Sequence, residues 1–142
     1  MTDPELIAKQ LAFVETMVAD LRRLARPDAI ATDLREERFV AHTLQMAAQA
    51  ALDVASHIVS DERLGEPQTN RELFALLEAS GWLSAELAAR MQAMAGFHNL
   101  VVHGYAKVDP LILRDIVLNR LDDLLGFVEG IRRRLAQLDA ET

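Results

Sequence analysis

The sequence predicts an all-α protein, an up-and-down bundle of about five helices. Three observations lead there. Ala and Leu are abundant, whereas Gly and Pro number only 6 and 4 in 142 residues, a balance that favours helix over strand. Apolar residues recur every three or four positions along most of the chain instead of alternating. Residue types that start and stop helices fall where that period breaks, and the links between long amphipathic helices are short, as in an up-and-down bundle. The length suits a single domain over residues 1–142, large enough to bury roughly two-thirds of the surface its unfolded form exposes.

The first helix opens at Asp3-Pro4, an N-cap followed by proline at the first helical position. Ile7, Leu11, Val14, Val18, Leu21 and Leu24 carry it to about Arg26-Pro27. Asp33 with Glu36 restarts the period. Val40, Leu44, Ala47, Ala51, Val54 and Ile58 extend a long second helix to about Glu62, with Gly65 as its C-terminal stop. Thr69-x-x-Glu72 has the spacing of a capping box ahead of Leu73, Phe74, Leu76 and Leu77, and Ser80-Gly81 closes this short third helix. Ser84 caps a fourth helix with the stripe Leu87, Met91, Met94, Ala95 and Val101. It ends at Gly104, where a left-handed residue is commonly needed. Asp109-Pro110 opens a fifth, whose Leu113, Val117, Leu121, Leu124, Val128, Ile131 and Leu135 run to the C-terminus.

Composition narrows the function classes. The absence of cysteine excludes disulfides, thiolate metal sites and cysteine nucleophiles, and it fits a cytoplasmic location. The start of the chain, Met1 to Glu5, is acidic and leads into no apolar segment, and no apolar run approaches the ~20 residues of a membrane span. Neither secretion nor membrane insertion is expected. A formal net charge of −7 argues against general affinity for nucleic acid, so any RNA contact has to be local. Two basic clusters, Arg22, Arg23 and Arg26 and then Arg132, Arg133 and Arg134, are read as lying in the final turns of the first and last helices, where the macrodipole stabilises cations. A phosphate-steering patch is the other reading.

On the second helix, His42, Gln45, Gln49, Asp53, His57 and Ser60 fall three or four residues apart and form one polar stripe without Lys, Arg or Glu. Such a stripe suits a seam against another helix, a second subunit or a ligand cleft, and an ordinary solvated face stays open beside these. Metal ligation by His42, Asp53 and His57 is not expected. The Glu-x-x-His pairs of di-iron bundles and the His-Glu-x-x-His of zinc proteases are both missing.

The densest group of chemistry-bearing residues is the decapeptide Gly96-Phe97-His98-Asn99-Leu100-Val101-Val102-His103-Gly104-Tyr105, which closes the fourth helix. Asn99 and His103, four apart, share a helix face, whereas His98 and His103 stand about 140° apart around an ideal helix. Either the helix end distorts near Gly104, or two copies meet so that His98 and His103 of facing subunits line one cleft, which two-fold symmetry provides. An imidazole is suited to general acid or base catalysis near neutrality. A surface His98 and a merely helix-capping His103 are the plain alternative.

This run, with Lys107-Val108-Asp109 after it, resembles the HepT family (DUF86) of HEPN-domain ribonuclease toxins, whose motif reads Arg-Asn-x-x-x-His-x-Tyr followed by Val-Asp. Residues 51–59 and Arg71-Glu72-Leu73-Phe74 resemble the family's patterns too, so the resemblance spans about residues 35 to 138. It implies a five-helix HEPN bundle that forms a homodimer, with the motifs of both subunits lining an interface cleft. It also implies an endoribonuclease that needs no metal or other cofactor, acts on single-stranded or tRNA-like RNA, and is paired with a small nucleotidyltransferase antitoxin. By position His103 corresponds to the catalytic histidine, Asn99 to its polar neighbour and Tyr105 to the tyrosine that the partner modifies with AMP; Asp53 and His57 of the polar stripe are read, from their spacing, as supporting residues.

His98 stands where the motif has arginine. Arginine carries a permanent charge and a fork of donors; histidine offers at most two donors and is largely neutral above ~6.5. Metal-free RNA cleavage needs one group to take the 2′-hydroxyl proton, one to stabilise the phosphorane and one to protonate the leaving oxygen. His98 and His103 divide these tasks on the first reading. On the second, the chain is a catalytically weak dimeric partner of the nucleotidyltransferase, modified at Tyr105 or binding nucleotide. A helical adaptor with neither activity is the third.

Overall fold

The computed structural model describes residues 3–103 and 108–141, and all regular structure among them is helical. The elements are α1 (Pro4–Leu24), a 3-10 turn (Pro27–Ala29), α2 (Leu34–Asp61), α3 (Asn70–Ala79), α4 (Ala85–His103), α5 (Pro110–Asn119) and α6 (Leu121–Glu141). The expected starts are made by the expected caps. Asp3 Oδ1 accepts the N–H groups of Glu5 and Leu6 at 3.1 and 3.2 Å, and Asp33 Oδ1 accepts that of Arg35 at 2.9 Å. Asp109 Oδ1 accepts that of Leu111 at 2.9 Å. Each supplies an acceptor to an N–H that the helix itself leaves unpaired. Thr69 Oγ1 accepts the Glu72 N–H at 3.3 Å, while Glu72 Oε2 reaches back to the N–H of Gln68 at 2.6 Å, one residue beyond the usual capping-box partner.

The ends of the helices bring two corrections. The left-handed residue that stops α2 is Arg63, at φ 55°, and not Gly65. Leu64 N–H bonds to the Val59 carbonyl at 2.9 Å and Arg63 N–H to the Ser60 carbonyl at 3.3 Å, the paired bonds of a Schellman cap. Gly81 plays the same part after α3, at φ 83°, with Trp82 N–H on the Leu77 carbonyl at 2.8 Å. Gly104, expected to end α4, lies outside the described residues.

The expected fifth helix is two. Arg120, at φ −121° and ψ −1°, leaves helical geometry and separates α5 from α6. The break lets α5 pack against α2 and the 3-10 turn while α6 lies against α1, α2 and α4. The acidic pair Asp122-Asp123 falls in the first turn of α6, where the positive end of the helix dipole favours it. Because α6 continues to Glu141, Arg132, Arg133 and Arg134 lie in its interior and not in a last turn, so the dipole reading holds only for Arg22 and Arg23.

α2 is the hub, touching every other α-helix. Its buried side alternates Val40, Leu44, Val54 and Ile58 with Ala47, Ala48, Ala51 and Ala55, whose small side chains let neighbouring helices approach closely. Phe74 of α3 and Phe127 of α6 meet edge to face at 5.8 Å in the same core. Glu36, buried near the start of α2, accepts the Arg26 N–H at 2.8 Å and so fastens the 3-10 turn to α2. No helix among the described residues is long and apolar enough to cross a membrane.

Candidate active site

α4 carries the site because its sequence serves two surroundings. Ser84 Oγ caps it by accepting the Leu87 N–H at 3.1 Å. Ala88, Met91, Met94, Ala95 and His98 are buried, whereas Leu100, Val102 and His103 are exposed.

His98 is only 5% exposed. Its Nε2 lies 2.6 Å from Gln49 Oε1, and Gln49 Nε2 donates to Asp53 Oδ1 at 2.8 Å. With the Gln49 amide N–H turned to Asp53, its carbonyl faces the imidazole, so the hydrogen of His98 is on Nε2. Nδ1 is left buried without a partner. Burial pushes the His98 imidazole below its ordinary value; the Asn99 side chain and the Asp53 charge oppose this, and His103 adds to it. The polar stripe of α2 is thus tied to the motif helix through Gln49 and Asp53. His57 instead faces Asp61, with Nε2 3.0 Å from Oδ2. Gln45 and His57 are half-buried and the other stripe residues exposed, and along α1 they border a groove with Lys9, Gln10 and Phe13.

The other edge of α4 meets the start of α3. Asn70 Nδ2 donates to Asn99 Oδ1 at 3.2 Å. The next side chain, Arg71, lays its guanidinium on the backbone of α4, so close that a Cβ on Gly96 would sit 2.5 Å from Nη2. His103 ends α4 on this side: residues 96, 100 and 103 share one face of an ideal helix. The structure therefore brings Asn99 to Asn70 and Arg71 to Gly96, and turns His98 towards α2 with the Asn99 side chain and the His103 charge still acting on it. Tyr105 lies outside the described residues.

Beneath Arg71 a cleft of about 770 Å³ is bounded by α4, α5 and the start of α6, with Arg90, Phe97, Leu100, Ile112, Arg120 and Asp123 in its lining. Asp123 is 5% exposed, and Arg90 Nη1 donates to it at 3.3 Å. Burial pushes its carboxyl up, against the pull of Arg90 and Arg120. Among the described residues no three His, Asp or Glu side chains gather to hold a metal ion.

The two basic clusters are largely neutralised. Arg22 pairs with Asp122 at 2.6 Å, Arg23 with Asp20 at 3.1 Å and Arg133 with Glu129 at 2.8 Å. Arg132 grips both oxygens of Glu15, and Arg134 lies over the Trp82 ring. Asn70 and Arg71 had no place in the site on sequence grounds. Arg71 fell in one of the family-like segments, but its contact with residue 96 depends on how α3 packs on α4, which no local period records.

Known proteins give this geometry a context. The mRNA nuclease HepT of Shewanella oneidensis is 32% identical over 89 residues, 63% of this chain and 67% of that protein. The tRNA nuclease HepT of Aphanizomenon flos-aquae is 28% identical over 141 residues, 98% of this chain and 96% of that one. A solved structure of a tri-AMPylated HEPN toxin from S. oneidensis, in complex with an MNT antitoxin, matches with a TM-score of 0.83 and 25% identity, covering 94% of this chain and 99% of that one. The architecture is therefore that of HEPN toxins. The family described as ribonuclease HepT-like matches residues 12–131, most of the sequence, and the chain belongs to this family.

Proposed function

We propose that the chain is an endoribonuclease toxin that acts as a homodimer on single-stranded or tRNA-like RNA, without a metal ion, and is partnered by a small nucleotidyltransferase antitoxin. The observation that carries this reading is the exposed His103 at the end of α4, beside Asn99, in a chain related over nearly its whole length to a tRNA nuclease. His103 transfers a proton to or from the 2′-hydroxyl or the leaving oxygen, and Asn99, oriented by Asn70, offers its amide donors to a phosphate oxygen. His98 shares the site as a positioning residue: its Nε2 hydrogen is committed to Gln49, and Asp53 fixes Gln49 in turn.

Uncovered apolar surface supports the dimer. Leu100, Val102, Leu111, Ile112 and Leu118 on α4 and α5 are 43–67% exposed, and a second copy covers such a surface while bringing two motifs to one cleft. The related toxin whose structure carries AMP supports Tyr105 as the residue that the nucleotidyltransferase modifies. The decisive experiment compares purified wild type with His103→Ala on single-stranded RNA in the presence of a chelator. Cleavage falls at least ~100-fold in the variant and persists with chelator in the wild type; equal rates in the two proteins refute the assignment.

A further inference from the structure

We propose that Arg71 is the phosphate anchor of this site, binding an RNA phosphate beside the one that His103 helps to cut. The proposal rests on the ribonuclease reading and adds to it a residue on a different helix from the motif. A chain with a net charge of −7 needs a local cation to hold RNA, and His98, buried and turned to Gln49, does not give one.

Among the described cations around the cleft, Arg90 is committed to Glu86 at 2.7 Å and Asp123 at 3.3 Å, and Arg120 lies 3.9 Å from Asp115. Arg71 is exposed and makes no hydrogen bond or ion pair among the described residues. The helical turn that carries it is nonetheless held in place. The bond from Asn70 to Asn99 pins the first turn of α3 across α4, and the guanidinium lies over Gly96, where only the lack of a Cβ leaves room. Gly96 and His103 share a helix face two turns, about 10 Å, apart. A flanking phosphate can therefore sit on Arg71 while the scissile one lies at His103. The ligand is thus a phosphate of single-stranded RNA.

The test uses a fluorescent single-stranded RNA blocked at its 2′-oxygens, with Kd measured against salt by anisotropy. Arg71→Gln weakens binding about tenfold at low salt and makes the log–log salt slope shallower by about 0.7, the share of one phosphate contact to a single strand. Arg71→Lys keeps the slope, because a point charge still meets the phosphate. Gly96→Ala, which favours the helix but displaces the guanidinium, weakens binding severalfold and keeps the test decisive if Arg71→Gln does not fold. With cleavable RNA, Arg71→Gln raises KM more than it lowers kcat. Wild-type affinity and slope in both Arg71→Gln and Gly96→Ala overturn the anchor, even where His103→Ala is inactive and the ribonuclease reading stands. Activity in His103→Ala removes that reading, whatever Arg71 does.

Discussion

Exchanging His98 for glutamine isolates the cost of burying an imidazole against α2. In the wild type the folded imidazole resists protonation because burial lowers its pKa, whereas in the unfolded chain it titrates near ~6.5. The unfolded state then binds more protons, so stability is full above ~6.5, falls as pH drops below that, and levels off once the depressed folded value is passed. One group contributes at most about 1.4 kcal/mol per pH unit, and between about pH 7.5 and 5.5 only the lower unit counts, so the loss assigned to His98 has a ceiling of roughly 1.4 kcal/mol. Glutamine at 98 keeps an N–H for Gln49 Oε1 but has nothing to titrate. Urea unfolding at the two pH values measures the difference. The wild-type midpoint falls further than that of the variant by up to ~0.7 M, for a slope near 2 kcal/mol/M. Equal pH dependence in both proteins, or a wild type that gains stability on acidification through residue 98, refutes a buried neutral imidazole.

Arg90→Met leaves the buried carboxylate of Asp123 without its donor. Since Arg90 is half exposed, the cost is about 1–2 kcal/mol, a fall of roughly 3–7 °C in Tm. Because burial already raises the Asp123 pKa, the deficit is largest at neutral pH and shrinks on acidification. Asp123→Asn relieves it, and an unchanged Tm contradicts the pairing. At Tyr105, intact-mass spectrometry after incubation with a small nucleotidyltransferase and ATP shows adenylate added to the wild type and not to Tyr105→Phe. An unmodified Tyr105 in a complex that has demonstrably formed counts against modification.

What was legible in the sequence was what is local. Asp3, Asp33, Thr69, Ser84 and Asp109 cap within three residues of themselves, and the period from Ile7 to Leu21 marks a buried face without reference to any partner. The break at Arg120 escaped because no Gly or Pro marks it and because the apolar period runs on through Leu121 and Leu124; its one local sign was the acidic pair Asp122-Asp123. Arg63 escaped because a left-handed arginine is uncommon and Gly65 stood two residues away. In the site, the separation of His98 and His103 around the helix was legible from 3.6 residues per turn. The depth at which His98 lies, and the arrival of Asn70 and Arg71 at residues 96 and 99, follow from the packing of α2 and α3 on α4.

The two edges of α4 have a practical consequence for engineering. The His98 edge answers to Gln49, Asp53 and the core, so changes there register first in unfolding curves. The His103 edge answers to Asn70, Arg71 and solvent, so changes there register first in RNA affinity and turnover. The two edges nonetheless meet at Asn99, whose side chain bonds to Asn70 and also acts on the His98 imidazole, so a substitution on the core-facing edge carries over into the site.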